Sequence, residues 1–258
     1  MILQLLFLAM SVAVFVGTGL CQIWGRRYAE RRPERPTGIT GAGSAAIEAS
    51  VFALLGLLVA FSFSGSETRL QTRRELTVRE ADAIGTAHLR LDLLPQPGRA
   101  ALKEQLRRYT DSRIAYYAKI KDLNAGRRER AREDHLQRQI WTDAVEAASR
   151  ATDMRATLLT LPALNEAFDA ATARDAALRM HIPLAIFFFL GVLAFACAFL
   201  AGMDMASVHE RSPLHVYIFA GTMALTAYVV MNLEYPLAGF MRLESLNALF
   251  ADLRASMV

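Results

Sequence analysis

The chain has 258 residues, 53% of them hydrophobic and 21% charged, with a net charge of +4. Charges are nearly absent from Met1 to Gly25, Ala49 to Ser66, Pro183 to Met203 and Leu214 to Leu233, and dense from Glu67 to His181; this is the layout of a membrane protein with one large hydrophilic insert. Cys21 and Cys197 both lie in apolar stretches, which excludes a disulfide framework, and the basic balance, without a recognition motif, belongs to membrane-flanking loops rather than to a nucleic-acid site.

The first apolar stretch, Ile2 to Trp24, has no basic start and reads as a retained span rather than a cleaved leader. A loop rich in Arg, Pro and Gly follows, and the second span begins near Ala46. No breaker except Gly85 interrupts Glu67 to Leu94, where Leu70, Thr77, Ile84 and Leu91 form a seven-residue stripe, so span and stalk are expected to be one helix. Pro95-Gln96-Pro97-Gly98 ends it. Further helices are expected over Arg99 to Leu123 and Arg127 to Thr160, separated by a turn at Asn124-Ala125-Gly126, and Pro162 is expected to open a last leg toward Pro183.

With no sustained period-2 alternation anywhere, the fold class is all-α: four transmembrane helices with a helical bundle inserted between the second and third. The expected division is residues 1–66 for spans one and two, 67–182 for the bundle, and 183–258 for spans three and four with a short C-terminal segment. Small residues spaced by four recur on every span: Ala9, Ala13 and Gly17; Ala45, Ala49 and Ala53; Ala194, Ala198 and Gly202; Ala220 and Ala224. Such rows allow close helix approach, within one chain or between copies, so a homo-oligomer surrounded by membrane lipid is expected.

Chemistry-bearing constellations are sparse. His88, His135, His181, His209 and His215 are scattered, and no phosphate loop, dinucleotide fingerprint or nucleophile elbow is present. The chain therefore reads as a non-enzyme with no cofactor and no metal. Glu166 and Asp169 lie one turn apart on a solvated face. Phe52, Leu55, Val59, Ser62, Ser66, Arg69 and Arg73 share one face of the second span, passing from apolar to hydroxyl to cationic. That stripe is either a packed face with interfacial arginines or, around a symmetric oligomer, the wall of an anion pathway. Glu234 and Asn232 end the last span, where an acid is expected to have an arginine partner or to bind ions. His88 is expected inside the bundle with a polar partner, and Gly85 at a close helix approach.

Two segments carry a resemblance: READAIGTAHLRLDLLP from Arg79 to Pro95 and EYPLAGFMR from Glu234 to Arg242. With the spacing of the four spans, they are similar to the bacterial bestrophin-like membrane proteins, whose marks would be Glu80, Asp82, Gly85, His88, Arg90, Pro95, Glu234, Pro236 and Gly239. The resemblance covers nearly the whole chain. It implies a multi-pass protein of the bacterial inner membrane, distantly like the pentameric bestrophin anion channels. A membrane-anchored helical sensor or scaffold remains the alternative. The arginines of the first loop (Arg26, Arg27, Arg31, Arg32, Arg35) and Arg211 place those loops in the cytoplasm and the bundle outside it, whereas bestrophins hold their large domain in the cytoplasm.

Overall fold

The computed structural model describes residues 2–31, 39–119, 123–206, 214–235 and 244–257. Among them stand eight α-helices and no strand: α1 (Ile2–Glu30), α2 (Ile39–Arg90), α3 (Gly98–Lys119), α4 (Leu123–Ser149), α5 (Met154–Arg179), α6 (Leu184–Met205), α7 (Leu214–Glu234) and α8 (Glu244–Ser256). Four apolar stretches are long enough to cross a membrane, in α1, in α2, in the stretch from Met154 to Met205 that contains α6, and in α7. Span and stalk are one helix, as the missing breakers predict: α2 has 52 residues, about 78 Å at 1.5 Å per residue.

Two compact units divide the chain: Met1–Leu70 with His181–Arg242, and Gln71–Met180 with Leu243–Val258. Helix α2 contributes to both. In the first unit α1 packs on α6 and α7. The α1–α6 approach is set by glycine: a Cβ on Gly202 would fall on the backbone carbonyl of Gln22, and one on Gly25 on that of Phe199. Ala194 and Ala198 are buried on the same row of α6, so this small-residue row works within the chain. The rows Ala9 and Ala13 on α1 and Ala45, Ala49 and Ala53 on α2 are exposed. Leu55 of α2 packs with Ala194 and Cys197, and Phe52 meets Phe219 edge-on with ring centroids 6.3 Å apart.

The second unit is a helical bundle whose core comes from one face of each helix. Leu70, which ends the first unit, and Thr77, Ile84 and Leu91 are all buried, as their seven-residue spacing predicts. Leu102, Leu106 and Tyr109 of α3, Ile140 and Ala144 of α4, and Leu164 and Ala167 of α5 complete the core. Helix α8, which follows the last span in sequence, packs on α3. Its Phe250 and the following Met257 are buried, and Arg254 holds Asp111 through Nε at 2.8 Å and Nη2 at 3.2 Å.

Three features differ from the sequence reading. The expected helix Arg127 to Thr160 is broken after Ser149, because Asp153 caps a new helix by accepting from the Arg155 N–H at 2.9 Å. Pro162 then lies inside α5 rather than at its start. The adjacent turn is tied to α2 instead, with Thr160 Oγ1 donating to the Arg90 carbonyl and Arg90 Nη1 to the Leu159 carbonyl. Asn124, Ala125 and Gly126 are helical, within the first turns of α4.

The glycine contacts make a stability prediction. Gly202→Leu should force α1 from α6 and destabilise the chain by about 1–3 kcal/mol or more, whereas Gly221→Leu, whose Cβ meets nothing within 4 Å, should leave thermal unfolding in detergent unchanged. Equal effects of the two would remove the close α1–α6 contact as a determinant of the fold.

Candidate functional site

A carboxylate at the edge of a hydrocarbon layer is tolerated only with donors around it. Glu234, the last residue of α7, is 0% exposed and has them. Its Oε2 accepts from Arg69 Nε at 2.9 Å and from Ser66 Oγ at 3.2 Å, and its Oε1 accepts from the Ile182 backbone N–H at 2.9 Å. His181 Nδ1 lies 3.4 Å from the same oxygen, and its ring stacks on Tyr235 with centroids 4.6 Å apart. One acid thus joins the end of α7 to α2 and to the segment entering α6. The arginine partner expected for Glu234 is Arg69.

This arrangement changes how the α2 stripe is used. Leu55, Ser62, Ser66 and Arg73 are buried, Phe52, Val59 and Arg69 are half-buried, and all seven face the chain's own helices. Arg73 reaches the end of α5, donating from Nε to the Ala177 carbonyl at 3.1 Å and from Nη2 to the Met180 carbonyl at 2.7 Å. It thereby satisfies carbonyls that a helix C-terminus leaves without partners. The wall of a pore shared between copies has to be open on the surface of one chain, whereas four of these seven side chains are buried within it.

In the bundle, Glu80 is the hub of a second buried cluster to which α2, α3, α4 and α5 each contribute. Glu80 Oε1 accepts from Arg113 Nε at 2.5 Å and Oε2 from Arg174 Nη1 at 2.9 Å. Arg113 donates from Nη1 to Glu133 Oε1 at 2.8 Å, and from Nη2 to Tyr117 Oη at 2.8 Å and Asp175 Oδ1 at 3.4 Å. Tyr117 donates onward to Asp175 Oδ1 at 2.8 Å, and Arg130 pairs with Asp175 from the rim. The Arg174 guanidinium lies over the Tyr117 ring, 3.5 Å from its centroid.

Three carboxylates face three guanidinium groups, so the cluster is balanced. Burial opposes charge on Arg113, but the Glu80 carboxylate beside it wins and holds its pKa above the ordinary range. Burial raises the Tyr117 hydroxyl well above its usual value. Burial also raises the Glu133 carboxyl, against the pull of Arg113. Its second oxygen is buried without a hydrogen-bond partner among the described residues.

The remaining marked positions are dispersed. Asp82 is exposed on a surface groove with Arg79 and Glu166, which pair at 3.6 Å. A Cβ on Gly85 would come within 3.3 Å of Leu253 on α8, so Gly85 does admit a neighbouring helix. His88 is buried, but its Nε2 has no hydrogen-bond partner among the described residues, against expectation. Burial, then Lys103 and Arg107, lower its pKa and favour the neutral ring, which removes the need for an anionic partner. Arg90 binds α5 as described, and Pro95 follows the short 3-10 turn Leu91–Leu93 that ends the stalk. Pro236, Gly239 and His209 lie outside the described residues. No group of three or more His, Cys, Asp and Glu able to hold a metal stands among the described residues.

The fold as a whole has counterparts in known proteins. A bestrophin-like domain matches residues 12–247. The chain belongs to the bestrophin-like family. Its fold is that of a bacterial bestrophin homologue from Klebsiella pneumoniae: a single-substitution variant is 16% identical over 98% of each chain with a TM-score of 0.69. The Zn-SAD-phased structure of that homologue is 15% identical over 98% of this chain and 96% of that one, at 0.68. A variant of a protein described only as a membrane protein is 15% identical over 95% and 96%, also at 0.68. No curated protein matches.

Sequence reasoning found the two acids of this bestrophin-like chain, Glu80 and Glu234, but missed Arg113, Glu133, Arg174 and Asp175. The signal was present. Arg113 continues the core positions Leu102, Leu106 and Tyr109, and Arg174 the row Ala163, Ala167 and Ala170, at steps of three and four. A charge in register with a buried stripe points to a buried partner.

Removing one member of a buried ion pair strands the other, so Glu80→Gln should destabilise the purified chain by about 3–5 kcal/mol. Glu133→Gln should act differently with pH. A carboxyl whose pKa is raised by folding binds its proton more tightly in the folded state, so stability rises as pH falls through the folded pKa toward the ordinary value near 4.5. Wild type should therefore gain thermal stability relative to Glu133→Gln over that window. A relative loss would contradict the raised pKa.

Proposed function

We propose that the protein is a homo-oligomeric ion channel of the bacterial inner membrane, conducting anions along an axis lined by the face of α2 that its own chain leaves uncovered. The observation that carries this reading is the spacing of that face. In the first unit, Leu57, Phe61, Ser64 and Thr68 are exposed, with Leu57 51% and Phe61 63% accessible. In the second unit, Gln71, Glu75, Val78, Asp82, Thr86 and Leu89 continue the same three-and-four rhythm, all exposed. One face of one helix stays open from Leu57 to Leu89, and within the span it passes from bulky apolar groups to hydroxyls. That is the order of an apolar constriction opening into a wetted mouth.

Family membership supplies the channel reading and the anion assignment. Charges on the exposed sides of the α2 stalk, Arg74 and Arg79 against Glu67, Glu75 and Asp82, nearly balance and do not select a sign by themselves. Arg69 and Arg73 act here as positioning residues, one holding Glu234 and the other the end of α5.

We place the bundle in the cytoplasm. Basic residues count within about 15–20 residues of a span end. Arg69, Arg73, Arg74, Arg79, Arg174, Arg179 and, after the last span, Arg242 on the bundle side therefore outnumber Arg26, Arg27, Arg31, Arg32, Arg35 and Arg211 on the other. The fuller count and the bestrophin likeness both support this reading, which is opposite to the orientation expected from the short loops. Glu34→Cys and Glu129→Cys, each in a chain lacking Cys21 and Cys197, should react oppositely with a membrane-impermeant thiol reagent applied to intact cells, residue 34 labelling and residue 129 not. Labelling of 129 alone would restore the opposite topology.

Reconstituted liposomes test conduction. The detergent-corrected mass should be a multiple of one chain. Phe61→Ala should raise anion flux by relieving the constriction, Ser62→Ala on the covered face should leave it unchanged, and the reversal potential reads the sign of the ion. A monomeric mass, or equal absence of flux in folded wild type and Phe61→Ala, would transfer the protein to the class of membrane-anchored sensors or scaffolds.

A further inference from the structure

We propose that a groove between α1 and α7 is a binding site for an anionic phospholipid of the phosphatidylglycerol type, with an acyl chain along the groove and the phosphate at its arginine end. The groove holds about 480 Å³, a size typical of small-molecule sites. Phe15, Val16, Leu20 and Ile23 of α1 and Val216 and Tyr217 of α7 form apolar walls. Gly19 keeps it open, since a Cβ there would meet nothing within 4 Å.

The chemistry changes toward the end of α1. Arg26, Arg27 and Glu30 line that end of the groove. Arg26 Nε is held by Glu30 Oε1 at 2.9 Å, which leaves Arg27 as the net positive charge; no ion pair engages it among the described residues. Gln22, one turn before Arg26 on the same helix face, also lines the groove. Gln22 is 2% exposed, and its Nε2 has no hydrogen-bond partner among the described residues. A buried donor without an acceptor is costly, and a phosphate or ester oxygen supplies one. Exposed Trp24 and Tyr28 mark this level of α1 as the membrane interface, where lipid phosphates lie. The apolar walls call for a chain as well as a headgroup. The single net positive charge of Arg26, Arg27 and Glu30 matches one phosphodiester and leaves no surplus acid for an ammonium headgroup.

The site is independent of conduction and is read by binding alone. The full chain, purified in detergent, is supplied with phosphatidylglycerol, phosphatidylethanolamine or sn-glycerol 3-phosphate, and bound lipid is counted by native mass spectrometry beside a thermal unfolding curve. Wild type should retain phosphatidylglycerol over phosphatidylethanolamine by about fivefold, the weight of one basic residue at an anionic surface. Gly19→Leu should fill the groove and lose the lipid while unfolding at the wild-type temperature in lipid-free detergent. Arg27→Gln, at an exposed position, should lose the preference between the two lipids and keep the fold; it decides the question alone should Gly19→Leu fail to fold. Equal retention of both lipids by wild type, or a preference undiminished in folded variants, overturns the proposal. So does stabilisation by glycerol phosphate equal to that by the lipid, since the acyl chain would then play no part.

Discussion

Helix α2 has to serve two solvents with one backbone. Its hydrogen-bond ladder is satisfied internally in lipid and water alike, so nothing in the main chain registers where the membrane ends. The side chains do. On the covered face, Leu55, Val59 and Ser62 give way to Ser66, Arg69 and Arg73, and then to Thr77, Glu80, Ile84 and Leu91. Two of the buried acids, Glu80 and Glu234, are bound up with this one face, Glu80 as a member of it and Glu234 as the partner of Arg69 and Ser66. Removing a breaker-free stretch of this length would separate the residues that position α5, α6 and α7.

The two acids are held by different means, and the difference follows from their surroundings. Glu234 sits where backbone N–H groups entering α6 lack partners, so one of the donors to its carboxylate is main chain. Glu80 sits among helix flanks whose backbone is already paired, so only side chains can reach it, and the donors must be long. Arginine suits that role because its planar fork serves several oxygens at once: Arg113 alone touches Glu80, Glu133 and Asp175. A buried ionic cluster of this kind adds little net stability over apolar packing. It does fix which helix faces which, since any other register leaves a charge alone.

Much of this was legible in residue spacing. The four spans, the unbroken α2 and the stripe Leu70, Thr77, Ile84 and Leu91 followed from hydropathy, missing breakers and period. The break at Asp153 did not, because a capping aspartate in a run of good helix formers looks like any other surface acid until its carboxylate is seen on the Arg155 N–H. Pro162 misled for a related reason: a proline well inside a helix is tolerated when its neighbours are tied elsewhere, and those ties, to Arg90, span some seventy residues of sequence. The packing of α8 on α3 likewise depends on a long-range pair, Arg254 with Asp111, that no local pattern encodes. Ser62, Ser66, Arg69 and Arg73 were visible as one helical face. Extended by threes and fours into the stalk, that face runs into Thr77, Glu80 and Ile84, so its polar members were in register with a core. The continuation, rather than the chemistry of the seven residues, told packed face from open face.

A fold shared at about 16% identity requires that covered faces stay covered, and it leaves open faces free to vary. In this chain the covered face of α2 is fully engaged. Ser66 and Arg69 bind Glu234, Arg73 binds the carbonyls ending α5, and Glu80 binds Arg113 and Arg174. None can be turned toward a permeating ion without stranding a buried partner. Whatever distinguishes this protein from others of its fold therefore has to be carried by residues the packing does not use, and on α2 those are Leu57, Phe61, Ser64 and Thr68 in the span and the mixed charges beyond it. The span portion is apolar and hydroxyl-bearing, so it can restrict and wet a path but supplies no net charge. In the proposed channel, discrimination by charge would then have to arise in the stalk, where Arg74 and Arg79 alternate with Glu75 and Asp82.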